Sequence, residues 1–154
     1  MTEYIRRDDE QQIRKLLDEM ADHFWLDSTK KEKFFPGFYL DRLWYKELEE
    51  ELIPFVAFEI EKGVPSNERI RKDIMNIACT KAPKGYVILP HRRILEDPKA
   101  RGGGNWPSWY KNNFIKTFLT YRQLFAAYCH IEIIDADELL GSGSLHKSVI
   151  PTEV

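Results

Sequence analysis

The chain has 154 residues, 43% of them hydrophobic and 31% charged, with a formal net charge of −2. That length can bury a sizeable core without disulfide or metal staples, and the mix excludes a disordered or fibrous chain. No apolar run approaches the roughly 18 residues a membrane-spanning helix needs, and the first residues lack the layout of a secretory leader. The expectation is therefore a cytoplasmic protein without membrane contact, with one domain over residues 1–140 and a flexible tail over 141–154.

Residues 8–24 predict a first helix, with Ile13, Leu16, Leu17, Met20 and Phe24 at helical spacing. A polar loop is expected over 27–33 and a turn at Pro36-Gly37. The aromatic stretch Phe38–Tyr45 reads as a strand, Lys46–Glu51 as a charged turn or short helix, and Pro54–Glu61 as a second strand. Gly63 and Pro65 end it, and Ser66 or Asn67 caps a helix running to about Thr80. Tyr86–Leu89 is a short strand closed by Pro90. Residues 91–107, with Gly102-Gly103-Gly104, read as an irregular, mobile loop. A long helix over 108–128, capped by Ser108, carries Phe114, Phe118, Tyr121 and Phe125 on one stripe, a core pattern. Ile131–Ile134 is the last strand. The order α, β, β, α, β, α, β predicts a mixed sheet covered by helices.

Cys79 and Cys129 stand fifty residues apart, and His23, His91, His130 and His146 are scattered. Neither a disulfide framework nor a zinc site is implied, and both thiols read as reduced and buried. Charge, in contrast, is segregated. Residues 1–61 carry −7, residues 62–122 carry +9, and residues 123–154 carry −4. A basic central block suits a polyanion, although cancellation across the folded surface explains it equally well.

Chemistry concentrates in Val56-Ala57-Phe58-Glu59-Ile60-Glu61. Strand alternation sends Val56, Phe58 and Ile60 to one face and Ala57, Glu59 and Glu61 to the other, the two carboxylates having Cβ atoms about 7 Å apart. Like charges so placed raise each other's pKa unless a cation sits between them, and hard oxygen ligands favour Mg²⁺, Mn²⁺ or Ca²⁺. Asp41, amid the aromatics of the preceding strand, is a poor strand former that needs a reason. If the two strands are neighbours, Asp41 converges on the glutamates. The bland readings are a solvated sheet face for the glutamates and an ion-pair partner for Asp41.

Asp41-x-x-Trp44, then Ile53–Glu61, then a helix, then Gly85–Pro90, resembles the PD-(D/E)xK nuclease superfamily over roughly residues 38–90, in the variant whose third motif reads FEIE. The resemblance implies a restriction-endonuclease-like core, with a central mixed sheet of four to five strands flanked by helices. It makes Asp41 and Glu59 ligands of Mg²⁺ or Mn²⁺, with Glu61 a further ligand or the base that activates water. Glu61 stands where the family usually has lysine, and Leu40 replaces the proline of the PD motif. Lys62 cannot stand in for that lysine, because it points to the opposite face. A further catalytic acid is expected on the first helix, where Glu10, Asp18 and Glu19 are the candidates and Glu19 is carried forward. Lys72 and Arg69 are placed near the scissile phosphate, although an exposed helix surface explains them as well.

The implied activity is metal-dependent hydrolysis of DNA, with RNA as a second candidate substrate. Arg69, Lys72, Arg92, Arg93, Lys99 and Arg101 would contact phosphates. Trp106 and Trp109 could stack on bases, although packing at a helix start suits them better. A homodimer would supply two sites for two strands. The alternative is a non-catalytic nucleic-acid- or protein-binding module of the same fold. An unrelated enzyme using Glu59 and Glu61 as an acid–base pair ranks last, since a glycosidase needs its two carboxylates on opposite sides of the bond.

Overall fold

The computed structural model describes residues 7–29, 40–99, 103–127 and 129–143. Helix α1 (Arg7–His23) leads into strands β1 (Asp27–Thr29), β2 (Arg42–Leu48) and β3 (Glu51–Ile60). Helix α2 (Asn67–Cys79), strand β4 (Lys84–Leu89) and the short helix α3 (Arg92–Leu95) follow. A continuous helical run comprises α4 (Trp106–Trp109), a π-helical turn (Tyr110–Phe114) and α5 (Ile115–Leu124). Strand β5 (His130–Asp135) and helix α6 (Ala136–Ser142) complete the described chain.

The architecture is α+β, with one five-stranded mixed sheet in the order β1-β2-β3-β4-β5. The first three strands form an antiparallel meander, and β4 and β5 run parallel to β3. On one face Ile13, Leu17 and Ala21 of α1 and Leu139 of α6 pack on Trp44, Phe58, Ile60 and Ile88. On the other, Ile70, Ile74 and Ile77 of α2, with Phe114 and Phe118, pack on Leu43, Ala57, Val87 and Ile133. The alternation expected along β3 is observed, with Phe58 and Ile60 on the α1 face and Ala57 on the α2 face.

Two small residues bring α2 close to the sheet. Gly85 pairs with Ala57 across β3 and β4. A Cβ built at Gly85 would stand 2.2 Å from Ile77 Cγ2. The missing side chain is what lets the helix backbone descend here.

Several boundaries differ from the sequence expectation. The stretch 27–33 was expected as a loop, but Asp27–Thr29 forms β1, paired with Leu43–Tyr45. A short polar edge strand carries no apolar alternation to reveal it. Between β2 and β3 no charged helix forms; the turn is Glu49-Glu50 alone, with φ of 50° and 68°. Positive φ at both centres is the requirement of the tightest hairpins. The stretch 91–107 holds α3, and the long helix starts at Trp106 with Pro107 in its first turn, where a missing N–H costs nothing. Ser108 is therefore inside that helix, and it accepts a hydrogen bond from Asn112 Nδ2 at 3.2 Å. The helix stops at Leu124, short of 128.

Ser66 caps α2 as expected, its side chain accepting from Arg69 N at 3.2 Å. Helix α6 was not anticipated. Asp135 caps it through Glu138 N at 2.7 Å, and Gly143 closes it at φ 67°. Cys129 is buried, its thiol pushed up to about 11 by burial, whereas Cys79 is exposed. Among the described residues no helix is long and apolar enough to cross a membrane. The Pro36-Gly37 turn, Phe38 and Tyr39, Arg101 and Gly102, and the tail beyond Gly143 lie outside the described residues.

Candidate functional site

The end of β3 and the head of β2 meet at one end of the sheet's inner strands. Arg42 pairs with Phe58 across the antiparallel ladder, so Asp41 stands beside Glu59. Two backbone bonds lock this pair. Asp41 N donates to Glu59 Oε1 at 3.1 Å, and Ile60 N donates to Asp41 Oδ2 at 2.7 Å. Glu61, one residue past β3, is held to β4 by its own N–H, which donates to Ile88 O at 2.8 Å. Glu59 and Glu61 are both buried, and Arg69 Nε donates to Glu61 Oε1 at 3.1 Å.

A fourth acid completes the group. Asp73 of α2 is 2% exposed. Its carboxyl lies beside those of Glu59 and Glu61, and the Asn76 side chain lies near Glu59. Asp73 Oδ2 is buried with no donor facing it. Buried carboxyls side by side need a proton or a cation between them. Burial, reinforced by the Asp41 charge, pushes the Glu59 carboxyl up to about 8. Burial, with Glu61 and Glu59 alongside, pushes Asp73 up to about 12.

On the α1 side of the same strand ends the acids have cationic partners. Arg14 Nη2 lies 2.9 Å from Glu10 Oε1 and 3.1 Å from Asp41 Oδ1, while Arg14 Nη1 donates to Asp41 O at 2.8 Å. Lys62 Nζ lies 3.4 Å from Glu10 Oε2, so Lys62 does point away from the glutamates of β3. Burial alone would raise the Glu10 carboxyl, but Arg14 and Lys62 outweigh it and hold it below its usual value.

The structure thus brings Asp41, Glu59, Glu61 and Arg69 together. It does not bring in Glu19 or Lys72. Glu19 is exposed on a polar groove along α1 that is also lined by Glu10, Arg14, Asp18 and Arg42. Asp18 is engaged with Arg42 Nε at 3.1 Å. Of the three candidate acids of α1, Glu10 is the one tied to Asp41, through Arg14. Lys72 is exposed and makes no hydrogen bond or ion pair among the described residues.

The proposed phosphate contacts of the loop are scattered. Arg92 Nε lies 3.5 Å from buried Asp135 Oδ2, and Arg92 N donates to Asp137 Oδ2 at 2.7 Å, beside a contact between His91 Nδ1 and Asp137 Oδ1. Arg93 and Lys99 are exposed, and Arg101 lies outside the described residues. Trp106 is buried against Trp109 and Phe114, with ring centroids 5.3 Å apart in both pairs. Trp106 is therefore core, not a stacking platform.

Sequence reasoning missed Asp73 and Arg14. Asp73 left a signal, an acid within the apolar stripe Ile70, Ile74, Ile77 of α2, where a charge needs a partner. Arg14 left only its i,i+4 spacing from Glu10, since its other partner, Asp41, is remote in sequence.

Among the described residues no three Asp, Glu, His or Cys side chains stand as a preformed metal site. Asp41 and Glu59 spend oxygens on backbone N–H groups, and Glu61 spends one on Arg69. The donor chemistry still fits a hard divalent cation, because the acids offer only oxygen and Asp73 Oδ2 is buried without a donor. The chain matches no protein-family model, no curated protein and no solved structure.

Proposed function

We propose that this chain is a metal-dependent nuclease with a restriction-endonuclease-like core, hydrolysing phosphodiester bonds of DNA. The observation that carries the reading is the placement of Asp41 beside Glu59 at the junction of β2 and β3, with Glu61 next along the strand. The segments that resemble the PD-(D/E)xK superfamily fall in order on β2, β3, α2 and β4.

Asp41, Glu59 and Glu61 would hold Mg²⁺ or Mn²⁺, which when bound polarises a phosphate oxygen and acidifies a water. The chain's own part is positioning and proton transfer. Backbone bonds from Asp41 N and Ile60 N fix the two principal carboxylates, so little reorganisation is needed when substrate arrives. Burial holds the Glu59 carboxyl up to about 8, so it would give up its proton as a cation enters, and Glu61 would orient or deprotonate the attacking water. Arg69, with its side chain 57% exposed at the rim, would meet a phosphate. A single site cuts one strand, so cleavage of a duplex calls for two copies.

The test is cleavage of supercoiled plasmid and of matched single-stranded and branched DNA and RNA, in Mg²⁺, Mn²⁺ and EDTA. The wild type is compared with Asp41→Asn and Glu59→Gln. Metal-dependent cleavage that drops at least about a hundredfold in both variants is expected. Cleavage that persists in EDTA or in the variants sinks the assignment. One observation favours the alternative of a non-catalytic binding module: Arg14 and Arg69 already engage Asp41 and Glu61. Retention of DNA in a gel shift with no cleavage in any metal would select it.

A further inference from the structure

The geometry points to a divalent-cation site built by Asp73 of α2 together with Glu59 and Glu61 of the β3 end, in which Asp73 is a ligand that the nuclease-like motif does not contain. The inference rests on the metal-dependent reading above and extends it to a residue of another element.

Three observations support it. First, one cation serves three acids: Arg69 pairs with Glu61 and acts on Asp73 and Glu59 only from a distance. Arg69 lies at Glu61 and Arg14 at Asp41, but no cationic group pairs with Glu59 or Asp73 among the described residues. A carboxylate buried without a counter-charge is strongly disfavoured. Second, Asp73 is 2% exposed and its Oδ2 faces no donor, although Glu59 and Glu61 are its neighbours. An orphaned buried oxygen inside a group of oxygens is placed for a cation rather than for water excluded from the core. Third, Gly85 and Ala57 let α2 approach the sheet closely, which brings an acid of the helix onto the strand end.

As they stand, the carboxyls lie beside one another instead of converging on one point, so cation entry requires small side-chain turns. Asn76, which lies near Glu59, is at the margin of the site.

The full chain is titrated with Mn²⁺, Mg²⁺ and Ca²⁺ from an EDTA-treated state, reading both heat of binding and thermal midpoint. Asp73→Asn is expected to weaken cation affinity at least about tenfold, while its midpoint in EDTA stays close to that of the wild type, since the amide matches in size a carboxyl that burial holds protonated. Equal cation affinity in Asp73→Asn and wild type overturns the site, as does a wild type with no response at millimolar cation.

Should Asp73→Asn fail to fold, the wild type alone decides. Substoichiometric Mn²⁺ should broaden the Asn76 side-chain amide resonances first. Broadening elsewhere with Asn76 unaffected overturns the inference. Binding that depends on Asp73 without any DNA cleavage would keep the cation site and reject the nuclease. Metal-dependent cleavage indifferent to Asp73→Asn would do the reverse.

Discussion

Two groups of acids flank the same strand ends and are treated in opposite ways. On the α1 side, Glu10 and Asp41 share Arg14, and Lys62 adds a second cation to Glu10. On the α2 side, Glu59, Glu61 and Asp73 lie deeper and, among the described residues, share only Arg69, which pairs with Glu61. The first group is a balanced ion-pair network that joins a helix to a strand. The second retains an electrostatic deficit that folding alone did not remove. A buried group whose pKa is displaced by burial and by like charges at a strand end is where chemistry is to be sought.

The largest consequence of the contrast concerns pH. Glu59 is raised from 4.5 to about 8, with burial as the first cause and Asp41 as the second, and Asp73 is raised in the same direction. Between those values the folded chain keeps protons that the unfolded chain has lost. Stability therefore falls as pH rises through this window, by up to about 1.4 kcal/mol per pH unit for each proton retained. In EDTA, urea melts are expected to show declining stability from about pH 5 to about pH 8, with a shallower slope in Glu59→Gln. Stability that is level or rising over that range would make the two groups equivalent and remove the distinction.

The balanced group offers the next largest effect. Arg14→Met leaves Glu10 and Asp41 facing each other with one cation gone, and Asp41 also holds the Ile60 amide. Breaking a fully buried pair costs about 3–5 kcal/mol. Here the Arg14 and Asp41 side chains remain 22% and 23% exposed, and solvent screening lowers the expected loss to about 2 kcal/mol. Denaturant midpoints of Arg14→Met and of Arg14→Lys check it. Arg14→Lys should recover part of the loss, since it restores charge without the guanidinium fork that reaches both acids. An unchanged midpoint in Arg14→Met would mean the network is ornamental.

The same contrast explains what could be read from the sequence. Glu59 and Glu61 were legible because strand alternation fixes which face a residue takes, and Phe58 and Ile60 anchor that alternation in the core. Asp41 was legible as an oddity among aromatics. Asp73 required knowing that α2 lies on the glutamate face, a tertiary fact set by Gly85 against Ile77. Helical periodicity gives α1 a face but not its neighbouring element, so it does not separate Glu10 from Asp18 and Glu19. Arg42, itself buried, turns Asp18 toward the groove, and only Glu10 is left to share Arg14 with Asp41. Helix α6 had a written signature, Asp135 three residues before Glu138 and a following glycine. β1, three polar residues paired to an already formed strand, had none.

A third set of acids, at the β2–β3 hairpin tip, sharpens the comparison at the small end. Glu47, Glu49, Glu50 and Glu51 are all exposed, so their mutual repulsion is screened by water. The strain at the tip is in the backbone, where Glu49 and Glu50 sit at φ of 50° and 68°, a region that costs an ordinary side chain about 1 kcal/mol. Replacing Glu49-Glu50 by Asn-Gly supplies the residues such a turn prefers and removes two charges. The expected gain is about 0.5–1 kcal/mol in thermal or urea melts, with the pH slope and the cation response unchanged. A change in either of those would mean that charge at the hairpin tip is felt at the α2-side carboxyls, and that the deficit there is not local to the strand end.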